Sequence, residues 1–425
     1  MRGKLAAPVF FVILGFPSSA TAGGTVNPCT EASLDAALPG GGTVTFACSG
    51  TITFTSTKSI VIATSFDATG YVVTLSGNDS VRLFDVSSGI ALSLTHLTLA
   101  SGRAQGAPGA GMSNGGDGNG GAIANNGGTV TATNVTFTGN QAIGGNGADA
   151  ANTSTTPSGG GAGQGGAIYS SNGTVTLTNC TFTSNMAKAG HGGAGFPGGM
   201  FSTNGGIGGN ALGGAIALGA GILNVSGGSM TSNAALGGRG GDGATGGQGG
   251  GGGQGRGGAV GASGGSPTIT ATTFVANAAT GGDNGTAGAG AAGFASSGGS
   301  AYGGAISCLS TVPAFYNLVV RSNSATGGTT SGFAFFTGSS AQGGGLHATS
   351  GPFGNTITNC TFTANITTPG PTTGTLGMSG GGALYLDNGT VANTICYGDL
   401  AYMGGVEIAT PSGPPTSLMV NNSDV

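Results

Sequence analysis

Catalysis or metal binding on an extended chain needs carboxylates that converge, and this sequence has few: 13 acidic residues in 425. Asp67, Asp79, Arg82 and Asp85 lie within 19 positions of one another. Paired carboxylates beside an arginine suit two reactions, glycosidic hydrolysis and β-elimination, because one group moves a proton while another steadies developing charge. The simpler reading is solvated turn charges with a local Arg–Asp pair, since Asp beside Gly or Asn favours turns for backbone reasons alone. A second pattern concerns calcium. Gly144-Gly-Asn-Gly-Ala-Asp149 and Gly237-Gly-Arg-Gly-Gly-Asp242 match the start of a calcium-binding nonapeptide, which makes Asp149 and Asp242 candidate ligands. That motif works in tandem and needs a large apolar residue two after the Asp. These copies are single and carry Ala151 and Ala244 there. No cofactor is implied, calcium being the one ion with a motif behind it. His96, His191 and His347 stand apart in sequence, and no Cys/His spacing suits zinc.

Any such group must be held by a repeat. Gly-Gly-Ala-aliphatic openings start at Gly120, Gly165, Gly213, Gly257, Gly303 and Gly381, with a Gly-Gly-Gly-Leu variant at Gly343. Closings follow at Phe137/Asn140, Phe182/Asn185, Met230/Asn233, Phe274/Asn277, Val320/Asn323 and Phe362/Asn365. Opening aliphatic and closing apolar residue are 14 apart in the first five copies, as in Ile168 to Phe182, while the spacers between cores vary in length. Constant cores with variable spacers are what stacked units require. Within a core, Gly173-Thr-Val-Thr-Leu-Thr-Asn-Cys-Thr-Phe-Thr-Ser-Asn185 alternates with period two and is rich in β-branched residues, so it predicts strands with Val175, Leu177 and Phe182 inside. The fold expected is all-β: a right-handed parallel β-helix with long Gly-rich loops on one side. The closing residues Asn140, Asn185, Asn233, Asn277, Asn323 and Asn365 then stack as a structural ladder at a turn.

Composition bounds the rest. Only 22 residues are charged (13 acidic, 9 basic), the net charge is −4, and 97 residues are Gly. No basic stripe exists for nucleic acid. Residues 1–22 read as a signal peptide: Arg2 and Lys4, an apolar run, then Ala20-Thr-Ala22. Residues 23–42 read as an N-terminal cap, with a short helix from Thr30 to Leu38 covering the open end of the solenoid. Residues 43–119 form the first coils, 120–399 the repeat, and 400–425 a tail. Nothing after the leader is long and apolar enough for a transmembrane helix. Export permits disulfides, and Cys29 with Cys48 is the expected pair. Cys180 and Cys360 occupy equivalent repeat positions and read as core, while Cys308 and Cys396 are unassigned. The Gly-rich spacers read either as flexible linkers or as ordered polyglycine-like strands. Exposed Thr-x-Thr rows raise a flat face for ice or crystalline polysaccharide.

Gly-Gly-Ala-Ile openings paired with Phe-x-x-Asn closings resemble the repeat of the polymorphic outer-membrane protein family, and the whole mature chain resembles right-handed parallel β-helix proteins of pectate-lyase-like fold. The first resemblance implies a secreted or cell-surface protein, outer-membrane-associated or extracellular, that is non-enzymatic and serves in adhesion or matrix contact with glycans or cell-surface components. Members of that family end in a membrane β-barrel, and no series of alternating amphipathic strands follows Asp399. The second resemblance implies the alternative, a polysaccharide lyase or glycoside hydrolase.

Overall fold

The computed structural model describes residues 23–152, 154–197, 203–291, 296–331, 338–349, 354–372, 374–402, 407–411 and 418–424. The expected leader, 1–22, lies outside the described residues. The chain is a right-handed parallel β-helix. Its strands join four parallel sheets in which each strand pairs with its equivalents one coil before and after. The coil from Ile168 illustrates the course. Ile168–Thr178 carries the first sheet, Thr181–Thr183 the second and Met186–Lys188 the third; the chain then loops out and returns as Ala211–Leu212 in the fourth.

Register follows the repeat. Ile123, Ile168, Ile216, Val260, Ile306, Leu346 and Leu384 form one in-register column. Phe137, Phe182, Met230, Phe274, Val320, Phe362 and Cys396 form another. Both are buried in a single core cluster, and the Phe137 and Phe182 rings stack 4.5 Å apart at 2°. Period-two patterning with one buried face fixes this register, since a slip of one residue would send every aliphatic side chain to solvent. At the Gly-Gly opening, Gly165 has φ +61° and a Cβ there would collide with the Ile168 carbonyl. At Gly166 a Cβ would meet the backbones of Gly214 and Met186. Only glycine closes this corner.

The first coils use the strands Gly42–Phe46, Gly50–Thr53, Lys58–Ile60, Thr64–Asp67, Val73–Ser76 and Phe84–Val86. Ahead of them the helix Glu31–Ala37 starts at Thr30, whose side chain accepts from the Ser33 amide, and buries Leu34 and Ala37 against the end of the core. Lys58, 8% exposed, reaches up from the first coil to Glu31 at 2.7 Å and Asp35 at 2.8 Å, tying cap to shaft. Cys29 and Cys48 are joined by a disulfide, while Cys180, Cys308, Cys360 and Cys396 are buried thiols. Within 400–425, expected as a tail, Ile408–Ala409 and Leu418–Asn421 are strands that pair with Leu384–Leu386 and Gly389–Ala392. Polar repeat-like alternation is weak there, so the sequence alone hid a further coil.

The described residues of the Gly-rich spacers are ordered. Outgoing and returning arms lie side by side, and one continuous hydrogen-bond chain crosses them: Gly145 to Gly116, Gly161 to Gly145, Gly190 to Gly161, Gly209 to Gly190, Gly238 to Gly209, Gly253 to Gly238, Gly282 to Gly253, all at 2.8–2.9 Å. A parallel chain runs three residues further out through Gly193, Gly206, Gly241, Gly250 and Gly285. A three-residue interval is that of the polyproline II helix, which has no internal hydrogen bonds and so offers its amides to neighbours. Of the two readings open from sequence, the polyglycine-like one fits the described spacer residues.

Candidate functional site

Along the outer faces of the first and second sheets, threonines repeat in register. One column runs Asp67, Thr95, Thr133, Thr178, Ser226, Thr270, Tyr316 and Thr358. Across the corner a second runs Thr74, Thr98, Thr136, Thr181, Ser229, Thr273, Val319 and Thr361. These side chains are half exposed, Ser226 and Val319 more so, opposite the buried aliphatic and Phe columns. Between the columns runs a row of left-handed corner residues, His96, Asn134, Asn179, Gly227, Ala271, Asn317 and Asn359, with φ of 49–73°. Parallel strands place neighbours about 4.8 Å apart, so the result is a regular lattice of hydroxyls. Among the described residues on these two strips between Thr129 and Thr363, Arg321 is the one charged side chain.

The strip ends in a hydrogen-bonded chain. Asp67 Oδ1 lies 2.6 Å from Thr69 Oγ1, which is 3.0 Å from His96 Nδ1, and His96 Nε2 is 3.0 Å from Asn134 Nδ2. All contacts are satisfied if the Thr69 hydroxyl donates to the carboxylate and accepts from His96 Nδ1–H, leaving Nε2 to accept from the Asn134 amide. The Thr69 hydroxyl, and then its backbone N–H at 2.9 Å, hold the Asp67 carboxyl below its ordinary value. The arrangement offers a solvent-facing carboxylate and imidazole linked through one hydroxyl.

The other expected site residues go elsewhere. Asp79 accepts from Gln141 Nε2 at 3.3 Å. Asp85 accepts from Asn126 Nδ2 at 2.5 Å. Arg82 donates to the carbonyls of Asn119 and Gly120, and burial pulls its guanidinium down despite the opposing charge of Asp85. Asp67, Asp79 and Asp85 thus each serve a separate partner. Asp149 Oδ1 accepts the Ala194 amide at 2.7 Å, and Asp242 Oδ1 accepts the Thr286 amide at 2.8 Å while bonding Arg239. Asn114, Asn146, Asn204, Asn210 and Asp283 clamp the next loop in the same way. The glycine-rich Asp motif is therefore accounted for by loop stacking. No group of three or more His, Cys, Asp and Glu side chains suited to a metal occurs among the described residues. Calcium chelation is expected to leave the melting temperature unchanged. Asp149→Ala is expected to cost about 1 kcal/mol, one hydrogen bond, and Asp149→Asn close to nothing, as differential scanning calorimetry can measure.

All three histidines read as isolated have partners, and His191 Nδ1 accepts from the Arg239 amide at 3.1 Å. Besides His96, His347 stacks on Tyr385 at 5.3 Å and meets Tyr302 at 4.9 Å, with the Arg256 guanidinium over the Tyr302 ring at 4.8 Å. Burial, reinforced by Arg256, pushes His347 down to about 3, so the imidazole is neutral. This seam fastens the returning loop arms to the shaft. The signal for His96 was positional: Leu92-Ser-Leu-Thr-His96 aligns with Val130-Thr-Ala-Thr-Asn134 and Val175-Thr-Leu-Thr-Asn179, which puts the imidazole on the corner row.

No family model and no curated protein matches the chain. Among solved structures it is similar to a crystal structure of a double mutant of a periplasmic alginate epimerase, at 7% identity and a TM-score of 0.24, over 95% of this chain and 84% of that one. A likeness this weak carries no functional weight. No helix among the described residues is long and apolar enough to cross a membrane.

Proposed function

We propose that the protein is an exported β-helical surface or matrix protein whose threonine strips bind an extended, hydroxyl-rich polysaccharide. The observation that carries this reading is the in-register lattice from Thr95/Thr98 to Thr358/Thr361. A rigid, nearly uncharged row of hydroxyls offers little to nucleic acid or an anionic membrane surface. It suits a partner with its own regular donors and acceptors. Export is supported by the Cys29–Cys48 bond, since disulfides persist in oxidising compartments. The experiment is co-sedimentation of the full protein with cellulose, chitin and pectate gel; binding to at least one, little changed between low and high salt, is expected.

A second reading, a polysaccharide-acting enzyme, rests on Asp67–Thr69–His96. A chain lying along the first strip would end against a carboxylate and an imidazole there. It predicts release of soluble sugars from the polymer that binds, abolished by His96→Ala without loss of binding. Binding without release assigns the chain to the first reading.

A further inference from the structure

The asparagine ladder ends on an acid. At each rung the side-chain amide makes two bonds: Asn185 Nδ2 donates to the next rung, Asn233 Oδ1, at 2.9 Å, and to the Phe137 carbonyl of the previous coil at 3.0 Å. The second bond recurs throughout, from Asn140 to Leu99, Asn233 to Phe182, Asn277 to Met230, Asn323 to Phe274 and Asn365 to Val320. The seventh rung is Asp399, 3% exposed. Its Oδ1 takes the usual place, accepting from the Asn365 amide at 2.7 Å and from Asn365 Nδ2 at 2.6 Å. Its Oδ2, the counterpart of Nδ2 on the other rungs, is buried and receives no hydrogen bond from a donor. The Glu407 carboxyl stands within hydrogen-bonding reach of the Asp399 carboxyl, and its Oε2 is likewise buried without a donor. Two acceptors facing each other repel, and an un-ionised carboxyl removes the conflict by supplying the missing donor.

We propose that Asp399 is a proton-binding rung, carrying its proton on Oδ2 against the Glu407 carboxyl, and that loss of this proton loosens the C-terminal coils. Glu407 is the second carboxyl of this buried pair. Burial first, and then Glu407, push Asp399 up to about 7 against the pull of the Asn365 hydrogen bonds. The Cys396 thiol, pushed up to about 12 by burial and then by these carboxyls, and Cys360 behind it are the remaining titratable neighbours; among the described residues no cation acts on Asp399. The unfolded value is about 3.9. A carboxyl raised on folding contributes stability that is fully present below about pH 4 and lost as pH rises to about 7.

The test is amide exchange in the full chain, with and without Asp399→Asn, read at Leu400, whose N–H donates to the Asn365 carbonyl. After correction for intrinsic exchange, wild-type protection is expected to fall about tenfold or more from pH 5 to pH 8. Asp399→Asn completes the ladder and is expected to stay protected at both. Equal wild-type protection at the two pH values, or the wild-type fall persisting in Asp399→Asn, overturns the proposal. Should Asp399→Asn fail to fold, Glu407→Gln decides: removing the neighbouring charge is expected to move the midpoint to lower pH, and an unmoved midpoint overturns it.

Discussion

Asn233→Ala is expected to destabilise the β-helix by about 3 kcal/mol or more, a larger loss than truncation of a typical surface residue. The side chain is fully buried. Its Oδ1 accepts from both the backbone amide and the side-chain amide of Asn185, at 3.0 and 2.9 Å, and its Nδ2 donates to Asn277 Oδ1 and the Phe182 carbonyl. Alanine leaves two donors and two acceptors of neighbouring coils without those partners in a place water does not reach, and each buried orphan costs about 1–3 kcal/mol. Because the loss falls on the interfaces between coils, cooperativity suffers as well as stability. Urea unfolding is expected to show a lower midpoint and a broader transition, and a midpoint equal to wild type would show that the ladder is decorative.

The second large effect belongs to the glycine bundle, and it is a contrast between positions two apart. A Cβ on Gly253 would sit inside the carbonyl of Gly209, whereas a Cβ on Gly251 would have Ser297 O as its nearest neighbour at 3.5 Å, ordinary contact. The obstruction at Gly253 is backbone, held by hydrogen bonds on both sides, so it cannot swing away. Gly253→Ala is expected to cost about 2–3 kcal/mol, in the range of overpacking. Gly251→Ala is expected to be neutral or to stabilise by about 0.5 kcal/mol through the unfolded chain. Thermal melts of the two variants read this directly; a flexible fringe would tolerate both.

The repeat core was legible because it obeys two strong rules at once, period-two burial and a fixed opening-to-closing distance. Ile168, Val175, Leu177 and Phe182 could be placed inside from the sequence alone, and the Asn residues could be placed at stacked turns. The spacers were not legible for a physical reason. A polyglycine II arm has no buried side chain to give a pattern, and the three-residue interval of Gly190/Gly193 or Gly238/Gly241 is blurred by extra glycines that the packing also requires. The early carboxylates were found by residue type, but their partners depend on which coil lies above. Asp67 meets Thr69 and His96 because one coil separates them in space, while Asp79 and Asp85 are turned to Gln141 and Asn126. Asp399 could have been read as a seventh rung only by accepting a shortened last repeat, in which Leu384 and Cys396 stand 12 apart. The repeat's constant residues are occupied with stacking, which leaves the outward hydroxyls and the His96 corner free to meet a partner.

The most direct measurement of that conclusion is co-sedimentation with insoluble polysaccharide for wild type and for a Thr178→Glu, Thr181→Glu double variant. These residues flank the Asn179 corner and are half exposed, so carboxylates there leave the core untouched and the far-UV circular dichroism unchanged. A bound strip predicts that the variant loses affinity at least tenfold, about 1.4 kcal/mol, on the polymer that wild type binds. Equal binding by the two proteins, or no binding by wild type to any of the three polymers, would contradict it.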